Sequence, residues 1–198
     1  MIKIQFLQGT FTLSCDSIRI PLQPMQINAL LALYCSGGPV ESRRLVDLLW
    51  DTPTQGSHAT LRTHIRRIRM KITAIDGHAD EFIVTTPIGD GQYTYQLASD
   101  VRCDAAEFSA LATSGSVALA RGEYQPASDQ LGAALALWGS ITLKSQILPE
   151  AAGRPFAVQT REKLWQARKD AGISKAAADI NLGLHRRDAG PDGGRMVS

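Results

Sequence analysis

Between Arg62 and Lys71 the chain places five basic residues, Arg62, Arg66, Arg67, Arg69 and Lys71, without a single acid. Cations at this density bind polyanions, and the regular polyanion of a cell is nucleic-acid phosphate. In the same stretch Leu61, Ile65, Ile68 and Ile72 form one helical stripe. Opposite that stripe lie Thr63, Arg66, Arg67 and Met70, flanked by Thr60 and Lys71, while Arg62, His64 and Arg69 sit nearer the stripe edges. Side chains far from the core can reach base edges in a major groove, where Arg pairs bidentately with guanine; flanking Arg and His suit phosphates. A lone basic face can equally be just solvated, so its meaning depends on the elements around it.

Catalytic arrangements fare worse. Ser57 and His58 are adjacent in sequence, which does not put the hydroxyl on the imidazole, and no acid is arranged to orient that ring. His58 and His64 point to different sides of a helix and cannot share a metal. Gly89-Asp90-Gly91 leads into a strand, where a dinucleotide fingerprint needs a helix. Cys15, Cys35 and Cys103 form no CxxC or Cys/His pair at ligand spacing and suit a reducing cytosol. No enzyme activity, cofactor or metal is expected.

With 198 residues, 44% hydrophobic and 20% charged, the chain can bury a core and suits two small domains. Lys+Arg 21 against Asp+Glu 19 leaves a net charge of +2, so any basic footprint is local. The N-terminus MIKIQFLQGTF lacks the pattern of a signal peptide, and no run approaches the ~18 apolar residues of a membrane span. A cytoplasmic protein without membrane partners is expected.

The elements around the basic stretch follow from period. Ile2, Ile4 and Phe6 alternate with polar residues, the alternation resumes at Phe11 and Leu13, and Ile18, Ile20 and Leu22 continue it past an Asp16-Ser17 turn. Residues 2–22 therefore read as a small antiparallel sheet. From Pro24 the period changes: Ile27, Leu30, Leu31 and Tyr34 mark a first helix that ends at Gly37-Gly38-Pro39. Ser42 can cap a second helix carrying Leu45, Leu48 and Leu49, and Ser57 a third over 58–73 that holds the basic face. The intervening loop, Asp51, Thr52, Pro53, Thr54, Gln55 and Gly56, is long for a tight helix-turn-helix. After Gly77, FIVTTP and QYTYQL flank Ile88-Gly89-Asp90-Gly91 as a β-hairpin. Three helices and a ribbon spell a winged helix-turn-helix. Tyr93 and Tyr95 read as core, leaving Gln92 and Thr94 free to touch DNA.

Beyond Asp104 the pattern is helical. Phe108, Leu111 and Ala112 form one stripe, Gly122 and Glu123 interrupt it, and Ala127, Leu131, Ala134, Leu135 and Trp138 form a second. This pair resembles one tetratricopeptide unit. A loop from Gly139 to Pro155 precedes a long helix with Phe156, Leu164, Ala167 and Ala171 on its stripe, and DAGPDGGRMVS has turn composition.

The order strand sheet, LLALYCSGGPVESRRLVDLLW, LRTHIRRIRMKI, FIVTTP and YTYQL resembles the winged-helix output domain of OmpR/PhoB-type response regulators. The stretch DAAEFSALATSGSVALARGEYQPASDQLGAALALW with REKLWQARKDAGISKAAADINLGLHRR is similar to the bacterial transcriptional activator domain. Together they resemble the SARP-type activators. The resemblance implies that Thr60, Arg62, Thr63 and Arg67 face bases, that His64, Arg66 and Arg69 contact phosphates, and that the loop from Asp51 to Gly56 touches RNA polymerase. It also implies binding to promoter direct repeats spaced about one helical turn apart.

The reading is thus an α+β winged helix-turn-helix with a small N-terminal antiparallel sheet over 1–98, followed by an all-α, tetratricopeptide-like and truncated activator domain over 102–186. Residues 187–198 are expected to be a disordered tail. The function expected is sequence-specific binding of double-stranded promoter DNA with recruitment of RNA polymerase; the rival is an interaction module that uses the same surfaces without DNA. Ile173, Ala177, Ile180 and Leu184 form a stripe with no later helix to cover it unless it folds back on the Phe108 and Leu131 stripes, so it is expected either to self-associate as a homodimer or to leave the second domain less stable than the first.

Overall fold

The computed structural model of the chain describes residues 1–76 and 82–188. Alternation at the N-terminus gives β1 (Ile2–Gln5), β2 (Thr12–Cys15) and β3 (Ile18–Ile20), antiparallel in sequence with Ile4 opposite Leu13 and Leu13 opposite Ile20. These three apolar residues are buried on one face, and Lys3, Ser14 and Arg19 occupy the other register. Asp16 and Ser17 both take positive φ, 46° and 70°, to close the β2–β3 turn.

Pro24 opens α1 (Pro24–Ser36), and Gly37, in the left-handed region at φ 67°, ends it with its N–H on the Tyr34 carbonyl. A short strand β4 (Val40–Glu41) leads into α2 (Ser42–Leu49), and α3 spans Ser57–Asp76, longer at both ends than its sequence pattern. The hairpin follows as β5 (Ile83–Gly89) and β6 (Gln92–Leu97). β5 runs on through Ile88 and Gly89, which the sequence pattern places in the turn. The turn itself is Asp90-Gly91, both at positive φ (48° and 69°), as a two-residue hairpin loop requires.

Among the described residues the strands form two sheets, in the orders β3-β2-β1-β7 and β4-β6-β5. The last strand of the first sheet, β7 (Arg102–Cys103), runs parallel to β1 and has no counterpart in the sequence reading. It is followed by Asp104, a buried residue whose Oδ2 accepts the Phe6 and Leu7 N–H groups at 2.8 Å each.

The helices α4 (Asp104–Ala120), α5 (Tyr124–Ala136) and α6 (Pro155–Asp188) complete the chain. Contacts divide it into two compact units: Met1–Ala106 with Gly139–Trp165, and Glu107–Trp138 with the chain from Gln166. The segment Gly139–Trp165, read from sequence as part of the helical domain, therefore packs with the winged helix. Its Ile141, Ile147, Leu148 and Ala151 are buried, and Glu150 Oε1 accepts the Phe11 N–H at 2.7 Å. Arg161 donates to the carbonyls of Ile147 (2.8 Å), Leu148 (3.3 Å) and Ala151 (3.4 Å). Those bonds hold a tight bend in which Leu148 takes φ 52°, in the left-handed region that non-glycine residues rarely adopt.

In the second unit Phe108 meets Trp138 edge to face at 5.1 Å, and the Arg168 guanidinium lies 5.3 Å from the Trp138 ring centre. Ser128 donates to Asp179, which also pairs with Lys175 at 2.6 Å. Ile173 and Ile180 are 69% and 63% exposed and Ala177 is half-buried, so the stripe read from sequence is open at two positions. The side chain of Leu184 and the tail from 189 lie outside the described residues, as does Gly77.

Candidate nucleic-acid interface

The interface is built on the apolar stripe of α3. Leu61, Ile65, Ile68 and Ile72 are all 2% exposed or less. Each such burial contributes about 1.5–3 kcal/mol, enough to fix which way the helix faces. α1 and α2 pack against α3. What remains outward is Thr60, Arg62, Thr63, Arg66, Arg67 and Met70, all exposed. Arg62, Arg66 and Arg67 make no hydrogen bond or ion pair with a described residue, so their donors stay available. Met70 is 57% exposed on the same side, an apolar group among the cations.

The two threonines are fixed by their own helix. Thr60 Oγ1 donates to the Gly56 carbonyl at 3.1 Å and Thr63 Oγ1 to that of Ala59 at 2.9 Å. Their hydroxyl protons are engaged, leaving an acceptor and a methyl group facing out.

The other cations behave differently. Arg69 is half-buried and its Nη2 donates to the Ile83 carbonyl and, at 2.5 Å, to Thr85 Oγ1, tying α3 to β5. Lys71 donates to the Pro21 carbonyl and approaches Gln26 Oε1 at 3.4 Å, tying the opposite flank of α3 to the start of α1. Their expected place among the DNA contacts thus meets a competing use: both head groups already have acceptors within the chain. His64 is half-buried and its Nδ1 is buried without a partner among the described residues. Burial, and then the Arg67 charge, push its pKa below the usual histidine value, which favours the neutral ring at the interface edge.

The hairpin is held at two levels. Besides the Arg69 bonds, Ser42 Oγ donates to Gln92 Oε1 at 2.8 Å. Gln92 is thereby occupied, and Ser42 is the first residue of α2, with Glu41 at the cap position. Ser57 likewise is no helix cap: its Oγ accepts the Thr54 N–H at 2.9 Å and its own N–H binds the Thr54 carbonyl, closing the end of the preceding loop. Tyr93 and Tyr95 line the clefts beside α3; Thr94, one residue out of step, does not, and its hydroxyl points to the Thr86 carbonyl at 3.5 Å. The loop from Asp51 to Gly56 is exposed throughout, with Asp51 bridged to Arg154 at 2.9 Å.

Comparison with known proteins finds two families along the chain. Residues 18–89 match the family "Transcriptional regulatory protein, C terminal", and residues 103–197 match the bacterial transcriptional activator domain. The chain has the architecture of the SARP-type transcriptional regulators. A structure of Mycobacterium tuberculosis EmbR in complex with a low affinity phosphopeptide is similar to it, with TM-score 0.78 and 26% identity over 92% of this chain. The match spans 46% of the EmbR chain, so this SARP-type chain corresponds to about half of that protein's length. No curated protein matches the sequence. The winged helix followed by a helical part agrees with the expected fold, and the matched families are DNA-binding transcriptional regulators. Among the described residues no helix is long and apolar enough to cross a membrane.

Proposed function

We propose that this chain binds promoter DNA by laying α3 in the major groove, with Thr60, Thr63 and Arg67 toward the bases and Arg66 and His64 toward phosphates. The observation that carries the reading is the exposed face Thr63-Arg66-Arg67, whose two arginines make no hydrogen bond or ion pair among the described residues, beside a braced hairpin. Arg69 and Lys71 serve this interface by positioning α3, because their head groups already bind backbone carbonyls. Met70 offers an apolar surface suited to a thymine methyl.

The exposed loop from Asp51 to Gly56 is the proposed contact for RNA polymerase, on direct repeats at the promoter. Two copies side by side on such repeats would bring the open positions Ile173 and Ile180 into use as a dimer contact. A cytoplasmic setting follows from DNA as the partner.

Titrating salt against binding to a promoter fragment tests the reading. If α3 neutralises about four to six phosphates, log affinity falls steeply and linearly with log salt. A flat response removes DNA from the partners and leaves an interaction module.

A further inference from the structure

Two adjacent clefts separate α3 from the hairpin, and what lines them bears on one residue that the SARP resemblance assigns to the bases. The first, of about 130 Å³, is lined by Arg62 with Ser42, His58 and the wing-turn residues Gly91 and Gln92. The second, of about 340 Å³, is lined by Arg62 with Ile65, Arg66, Arg69 and Thr85. Tyr93 and Tyr95 line both, and among the described residues no carboxylate lines either.

Resting on the DNA-binding reading above, we propose that Arg62 grips a backbone phosphate on the wing side of the groove and does not read a base. Arg62 and Arg69 are two helical turns apart and leave α3 on the same side. Arg69 shows which side that is, because its guanidinium is bonded to Ile83 and Thr85 of β5. Arg67 and Thr63 leave α3 on the side turned away from its buried stripe.

A helix about 10–12 Å across fills a major groove about 12 Å wide, so its flanks face the sugar–phosphate walls and only its outermost face meets the floor. Arg62 is on a flank. The cleft it lines brings His58, the wing turn and the Tyr93 ring to the same wall, and a guanidinium matches two phosphate oxygens in its planar fork. Among the described residues no carboxylate lines the cleft to compete with a phosphate for that charge.

The test compares wild type, Arg62→Ala, Arg62→Lys and Arg67→Ala on two duplexes, one selected from a randomised library with the wild-type protein and one scrambled from it. Arg62→Ala is expected to weaken both duplexes by the same factor and to reduce the slope of log affinity against log salt by about 1, with Arg62→Lys restoring the slope. Arg67→Ala is expected to act mainly on the selected duplex. If Arg62→Ala weakens only the selected duplex and relaxes one base preference, Arg62 reads a base and the proposal falls while DNA binding stands. An unchanged slope with Arg62→Ala overturns it equally. If the wild type itself binds neither duplex, both readings fail together. Arg62 is exposed, so its variants are expected to fold, and thermal melts check that each does.

Discussion

The Arg154 guanidinium lies 2.9 Å from the Asp51 carboxylate, joining the α2–α3 loop to a residue 103 positions further along the chain. Asp51 is 92% exposed, so water and salt screen the pair, and such bridges contribute about 0–1 kcal/mol. Asp51→Ala is therefore expected to shift the urea midpoint only slightly. If the loop touches polymerase, the same variant lowers transcription from a bound promoter while operator affinity stays within about twofold, roughly 0.4 kcal/mol. Equal loss of both would make the loop purely structural.

Arg69 and Arg66 separate bracing from neutralising. Arg69 spends its Nη2 donors on Ile83 and Thr85, whereas Arg66 is exposed and unpaired among the described residues. Arg69→Ala should weaken every DNA and leave the salt slope near the wild-type value, because it loosens the hairpin without removing a phosphate contact. Arg66→Ala should lower the slope by about 1. A matching drop in slope for Arg69→Ala would return that residue to the phosphate contacts.

Asp104 is buried, and two backbone N–H groups depend on it. Asp104→Ala leaves both unpaired and should cost about 2–4 kcal/mol in chemical denaturation, whereas Asp104→Asn keeps an acceptor and costs less. Burial outweighs those hydrogen bonds and raises the carboxyl pKa above its usual value. The folded state thus holds its proton to higher pH than the unfolded chain. The resulting stabilisation is complete below the unfolded pKa and lost as pH rises through the folded one. Wild-type stability measured relative to Asp104→Asn should consequently improve on acidification toward pH ~4, the ordinary Asp range; the opposite trend would contradict the burial argument.

In the second unit Gly115 sits where α4 meets α5. A Cβ there would lie 2.6 Å from Leu131 Cγ and 3.2 Å from the Leu131 backbone nitrogen. Alanine is worth about 1 kcal/mol in a helix interior over glycine, but overpacking typically costs 1–3 kcal/mol. Gly115→Ala should therefore lower the melting temperature, and adding Leu131→Ala should recover part of the loss. An increase with the single variant would mean the helices can move apart freely.

How the chain builds its interface was legible in the sequence wherever one element carries its own pattern. The spacing of Leu61, Ile65, Ile68 and Ile72 determines which face of α3 is buried, and with it that Thr63, Arg67 and Met70 point away. Alternation and the Asp90-Gly91 pair likewise determine a hairpin. Periodicity suffices there because the side-chain directions of a helix or strand are set by its own backbone. The tertiary structure alone decided the rest. Arg69 and Lys71 look like Arg66 in sequence, yet they end on carbonyls 14 and 50 residues away. Ser42 and Ser57 resemble caps but bind the hairpin and the loop. The parallel strand at Arg102–Cys103, the carboxylate of Asp104 and the docking of Gly139–Trp165 join residues far apart in the chain. A polar side chain takes whichever acceptor the packed backbone brings within about 3 Å, and that partner leaves no period in the sequence around it.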